Sequence, residues 1–225
     1  MGNLYLVRHG QASFGADDYD QLSELGLRQS VRLGEYLGEK GLQFEAIYTG
    51  SLKRHTQTYA GIQTGLATLA PQAPATVWPG LNEYDGEAVI RAISPKPLER
   101  PTTPELYRAH FRLLRDGLTQ WMNGVISPQG MPTYDGFVHG VTSALDHIRK
   151  HHPGNVLVVS SGGPISTAVG HLLGTSPETS IELNYSIRNS SLTEFTFTPK
   201  RHTLLTYNTL PHLDRAEYGP WITYA

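Results

Sequence analysis

The chain has no cysteine among its 225 residues. That excludes disulfides, thiolate nucleophiles and cysteine-bound metals, and it fits the reducing cytosol, the expected location. A surplus of either charge is also missing: 18 Lys and Arg stand against 20 Asp and Glu, a net −2. No surplus marks nucleic acid or an anionic membrane surface as the main partner. No apolar run reaches the length of a membrane span. The start, Met1-Gly2-Asn3-Leu4-Tyr5-Leu6, lacks a signal-peptide pattern, and Leu6 stands where a myristoylation motif needs Ser or Thr. Internal repeats and low-complexity tracts are absent. The ten histidines show no HExxH or Cys/His ligand spacing, so no metal is expected.

What is present is a series of short apolar runs that each stop at polar or small residues. Leu4-Tyr5-Leu6-Val7 suits a strand buried on both faces of a parallel sheet, and it ends at Arg8-His9-Gly10. Ligand crevices in open α/β sheets lie just beyond such strand ends. A neutral imidazole is a nucleophile near pH 7, a guanidinium grips phosphate oxygens with two donors, and Gly10 lets backbone approach a ligand. Against this stands the plain alternative of a strand that merely ends in polar residues.

Three further runs repeat the pattern. Ala46–Thr49 leads through Gly50-Ser51-Leu52-Lys53 to Arg54, in the first turn of a helix with Tyr59, Ile62, Leu66 and Leu69 on one face. A helix N-terminus points N–H groups at anions, and a basic residue there adds to the site. Ala75–Trp78 is read as a strand followed by Leu81-Asn82-Glu83, with Asp85 and Glu87 close behind. Asn155–Ser160 is the clearest buried strand; it runs into Ser161-Gly162-Gly163-Pro164 and a helix whose inward face is Ile165, Ala168, Val169, Leu172 and Leu173.

Ser23 is a plausible cap for a helix with Leu27, Val31, Gly34 and Leu37 inward and Gly41 as its stop. Thr103-Pro104-Glu105 starts another, with Leu106, His110, Leu113, Leu114, Leu118 and Trp121 on one face; His110 reads as a hydrogen-bonded core residue. Tyr134, Phe137, Val138, Val141, Leu145 and Ile148 mark a third, and His151-His152 at its end reads as a solvated pair. Ser191–Thr198 and Thr203–Tyr207 pair as an antiparallel portion. These elements predict a three-layer α/β/α sandwich with a mostly parallel central sheet, as one domain over 1–225 with a lid or insertion around 84–135.

Arg8-His9-Gly10-Gln11, Thr49–Arg54 with Gln57-Thr58, Leu81-x-Glu83 and Val158–Gly163 together resemble four segments of the histidine phosphatase superfamily, the phosphoglycerate-mutase-like proteins. The resemblance covers nearly the whole chain. It implies hydrolysis of a small phosphorylated substrate through a phosphohistidine on His9, with no cofactor. Arg8, Arg54, Gln11, Ser13, Ser161 and Gly162 would bind phosphate, and Glu83 would protonate the leaving oxygen, with Asp85 and Glu87 as substitutes. The sequence departs from the family at Ala12, Phe14 and Gly15, and at Ser161, which takes the place of a second histidine. That departure implies reduced activity and an expected gain in turnover from Ser161→His. Phosphoglycerate mutase chemistry and a catalytically weak phosphometabolite-binding protein stay open as alternatives. A nucleotide-binding domain rests on Gly162-Gly163 alone.

Overall fold

A computed structural model describes residues 1–13, 20–66, 73–94 and 103–224. Its sheet is built from β1 (Gly2–Arg8), β2 (Ala46–Thr49), β3 (Thr76–Val77), β4 (Asn155–Ser160), β5 (Leu192–Thr198) and β6 (Arg201–Thr209). They lie in the order β3-β2-β4-β1-β5-β6. The first four run parallel, and β5 and β6 are antiparallel. Among the described residues seven α-helices accompany them: α1 (Glu24–Glu39), α2 (Lys53–Gly65), α3 (Gly86–Ile93), α4 (Pro104–Met122), α5 (Tyr134–His151), α6 (Gly162–Leu173) and α7 (Pro177–Ser186).

Alternation along the central strands divides the core into two layers. Leu4, Leu6, Val156 and Val158 face a cluster with Val89, Leu118, Trp121, Val141, Ile148 and Ile165, from α3 to α6. Tyr5, Val7, Leu157 and Val159 face Leu33, Leu37, Tyr59 and Ile62, from α1 and α2. Central strands covered on both sides need continuous apolar sequence, which is why β1 and β4 are legible without alternating polarity. In register Arg8 stands beside Ser160, so the carboxyl ends of β1 and β4 finish together. The crevice opens there.

Several local expectations are corrected. The third strand has only two residues, both exposed, at the sheet edge. Leu27 is 44% exposed, because α1 packs on α2 through Ser30, Leu33, Gly34 and Leu37, a face rotated from the one read from its larger residues. Leu173 is 58% exposed at the last turn of α6, just before Gly174 turns the chain with φ +66°. His110 is half-buried edge-on to Phe111. His152 is not a solvated residue: Nδ1 meets Glu45 at 2.9 Å and Nε2 meets the Tyr48 hydroxyl at 2.8 Å, while His151 stacks on His147. Leu69, Phe14, Gly15 and the prolines 95, 97 and 101 lie outside the described residues.

Candidate active site

His9 follows β1 directly and its backbone N–H donates to the Ser160 carbonyl at 2.9 Å, extending the pairing of the two central strands. The ring is buried. Its Nδ1 lies 2.7 Å from the Gly10 carbonyl, an acceptor only, so Nδ1 carries the proton. Nε2 then holds the free lone pair, and Arg54 Nε donates to it at 3.2 Å. Burial and the guanidiniums of Arg8 and Arg54 hold the His9 pKa well below the usual imidazole value. The ring is therefore neutral and nucleophilic at pH 7.

Arg8 is buried at the end of β1, with Nη1 donating to the Ile187 carbonyl. Arg54 enters from the first turn of α2. That helix begins after Leu52, which offers no capping side chain. Asp20 supplies the cap from elsewhere in the chain: it accepts from Lys53 N at 2.9 Å and pairs with Arg54 Nη1 at 2.8 Å. One carboxylate thus starts the helix and aims the guanidinium. Gln57 and Thr58 fasten the loops around His9, accepting from Leu22 N at 2.8 Å and Gly10 N at 3.1 Å. Gly10 is small because α1 crosses it; a Cβ there would lie 2.4 Å from the Gly26 carbonyl. That close helix contact, rather than ligand approach, accounts for the glycine.

The Leu81–Glu83 segment is held between two strand ends. Ser160 Oγ donates to the Leu81 carbonyl at 2.7 Å, and Asn82 accepts from Ser51 N at 2.7 Å. Glu83 is thereby set against the start of α6, accepting from Gly163 N at 3.1 Å and from Tyr84 N at 3.2 Å. Burial raises its carboxyl pKa, against those two N–H donors and the cations Arg54 and Arg8. Asp85 and Glu87 are exposed and bound to Arg91, and Asp85 also caps α3 by accepting from Ala88 N at 2.9 Å. Beside Gly163 an aromatic wall of Tyr84, Trp121, Tyr134 and Phe137 continues the pocket.

Ser161 is the N-cap residue of α6 and is buried, yet its hydroxyl does not cap the helix. Oγ lies instead 2.7 Å from Nε2 of His55, a buried residue at the start of α2 that the sequence did not single out. The His55 ring is 5.8 Å from that of His9, and burial beside Arg54 lowers its pKa to about 3. Gln11 sits on the opposite side, its Oε1 accepting from Ser23 Oγ at 2.8 Å. Ser13 reaches Gln21 through its backbone N–H at 2.8 Å. Arg8, His9, Arg54, Glu83 and Ser161 thus lie together about the carboxyl ends of β1 and β4, with Gly162 next in the chain, while Gln11 is bonded to Ser23 and Ser13 to Gln21. Among the described residues no group of three His, Asp or Glu is arranged to hold a metal, and no helix is long and apolar enough to cross a membrane.

Comparison with known proteins gives the fold and the family. The chain is 28% identical over 167 residues to the metal-independent phosphoserine phosphatase of Arabidopsis thaliana; the match covers 71% of this chain and 64% of the plant protein. The fold is phosphoglycerate-mutase-like. It superposes on phosphoglycerate mutase from Bacillus anthracis with a TM-score of 0.64 at 20% identity, covering 94% of each chain. It also superposes on phosphoserine phosphatase from Entamoeba histolytica in complex with 3-phosphoglyceric acid, with a TM-score of 0.65 at 19% identity over 95% of this chain and 100% of that one. Residues 4–210 match the histidine phosphatase superfamily (branch 1) as a single span that takes in all four strand-end segments, and the chain belongs to that superfamily.

Proposed function

We propose that the chain hydrolyses small phosphomonoesters, with His9 as the nucleophile. The observation that carries this reading is the Nδ1 contact to the Gly10 carbonyl, which leaves Nε2 unprotonated beside a guanidinium. Nε2 attacks phosphorus as the P–O ester bond breaks. Arg8, Arg54, the Gly162 N–H and the Ser161 hydroxyl stabilise the charge that spreads over the phosphoryl oxygens. Glu83, raised by burial, gives its proton to the departing alkoxide and then takes one from the water that attacks phosphohistidine, releasing phosphate and freeing Nε2.

Ser161 stands where the superfamily's second histidine is expected, so the phosphate cradle has a neutral donor there in place of an imidazolium. Gln11 and Ser13 contribute at the rim, Gln11 by tying the loop to the cap of α1. Tyr84, Trp121 and Tyr134, from the expected lid or insertion, and Phe137 just after it shape the side that receives the leaving group. Phosphoserine, named for the Arabidopsis relative, is the first substrate to try in a panel of phosphorylated metabolites. The test is acid-free rapid quenching with substrate labelled in the phosphoryl group. Label is expected on the peptide containing His9 and absent from His9→Ala. Label elsewhere, or full activity in His9→Ala, refutes the reading.

A further inference from the structure

We infer that His55 is a positioning residue of the phosphate site, holding the Ser161 hydroxyl so that its proton is directed at the phosphoryl group over His9. The inference rests on the phosphatase reading and deepens it. Arg54 and His55 are consecutive in the first turn of α2. Their side chains diverge, Arg54 to the His9 ring and His55 across to the start of α6. One helix turn therefore serves the crevice from two directions.

The hydrogen-bond pattern sets the direction of the donor. Among the described residues the buried His55 Nδ1 has no hydrogen-bond partner, and it faces the α-carbon of Gly50, where a Cβ would lie 2.3 Å away. A buried N–H left without an acceptor is rarer and costlier than a buried lone pair left without a donor. We therefore assign the proton to Nε2, which donates to Ser161 Oγ. A hydroxyl that accepts from an imidazole keeps its own proton to give elsewhere. A serine at this helix position ordinarily spends its oxygen on a first-turn N–H. Ser161 does not, and Gly163 N is taken by Glu83. The Ser161 O–H is thus free to donate into the crevice beside His9, whose backbone pairs with the residue before it. Deeply buried and beside Arg54, His55 stays neutral throughout the physiological range, so it orients the hydroxyl without adding charge.

The alternative is a bond that merely ties α2 to α6. Kinetics on an aryl phosphate, vanadate inhibition and thermal melts together separate the two. His55→Leu fills the ring's volume without a donor; His55→Gln keeps an amide N–H that reaches as far as Nε2. We expect His55→Leu and Ser161→Ala each to lower kcat/KM by about 10-fold or more and to weaken vanadate inhibition in parallel. The double variant should be no worse than the poorer single, because both remove the same donor. His55→Gln should recover most of the loss. Should His55→Leu not fold, His55→Asn replaces it, since its shorter amide cannot reach Ser161. Multiplying losses in the double variant would overturn the inference, as would a lowered melting temperature with kcat/KM and vanadate inhibition unchanged. Failure of the wild-type chain both to turn over phosphate esters and to bind vanadate would remove the phosphatase reading and this inference with it.

Discussion

Arg54 Nε donates to His9 Nε2 across 3.2 Å, so the guanidinium rests on the lone pair that attacks phosphorus in the proposed reaction. Asp20 holds the other end of the fork at 2.8 Å. In the proposed reaction a phosphoryl group would take the place of the imidazole as the acceptor for Arg54 Nε and leave Nε2 uncovered. The contact keeps Nε2 unprotonated at rest, since a second proton there would face a cation.

Arg54→Lys is expected to lower kcat/KM by about 10²-fold and to weaken inhibition by vanadate or phosphate. An ammonium is a point charge and cannot serve two phosphoryl oxygens while also meeting Asp20. Inhibition constants equal to wild type would place Arg54 outside the phosphate site.

Glu83→Gln tests the proton donor. The loss should reach about 10²-fold or more for alkyl phosphates, whose leaving oxygen needs a proton, and should be much smaller for p-nitrophenyl phosphate. Comparable losses on both would mean that the Gly163 and Tyr84 contacts make Glu83 a structural tie.

Stability should fall as the pH drops below about 6.5. His55 and His212 are fully buried, and burial lowers each to about 3, beside Arg54 and Arg32 respectively. Above the unfolded value both states are neutral and the stability is fully present. Below it the unfolded chain gains protons that the folded chain refuses. At pH 5 this amounts to roughly 2 kcal/mol for each ring, at about 1.4 kcal/mol per unit. His9 acts in the same sense, and the raised carboxyl of Glu83 offsets part of the loss. Urea unfolding at pH 7.5 and pH 5 measures the difference. Equal stabilities would show that these rings titrate normally in the folded chain.

By itself the sequence determined the strands and the residues that end them. Leu4–Val7 and Val156–Val159 are apolar without interruption because parallel strands are covered on both faces, and Arg8, His9 and Ser161 follow by chain continuity. Arg54 lies just past β2, and the resemblance to the superfamily's segments singled out both it and Glu83; the strand before Glu83 is two exposed residues, and Ser160 and Ser51 hold its segment in place. What each side chain touches was decided only by the tertiary structure. Asp20 aims Arg54 from 34 residues away, and His55 meets Ser161 across 106. Read along the chain, Ser161 is a cation lost and Ser161→His its repair. In the fold Ser161 Oγ meets His55 Nε2 at 2.7 Å, so a Ser161→His side chain laid along that path would meet a second imidazole. No periodicity or spacing encodes such a pair. Its members lie on α2 and at the head of α6, and only the packing of both helices around the ends of β2, β4 and β1 brings them within hydrogen-bond distance.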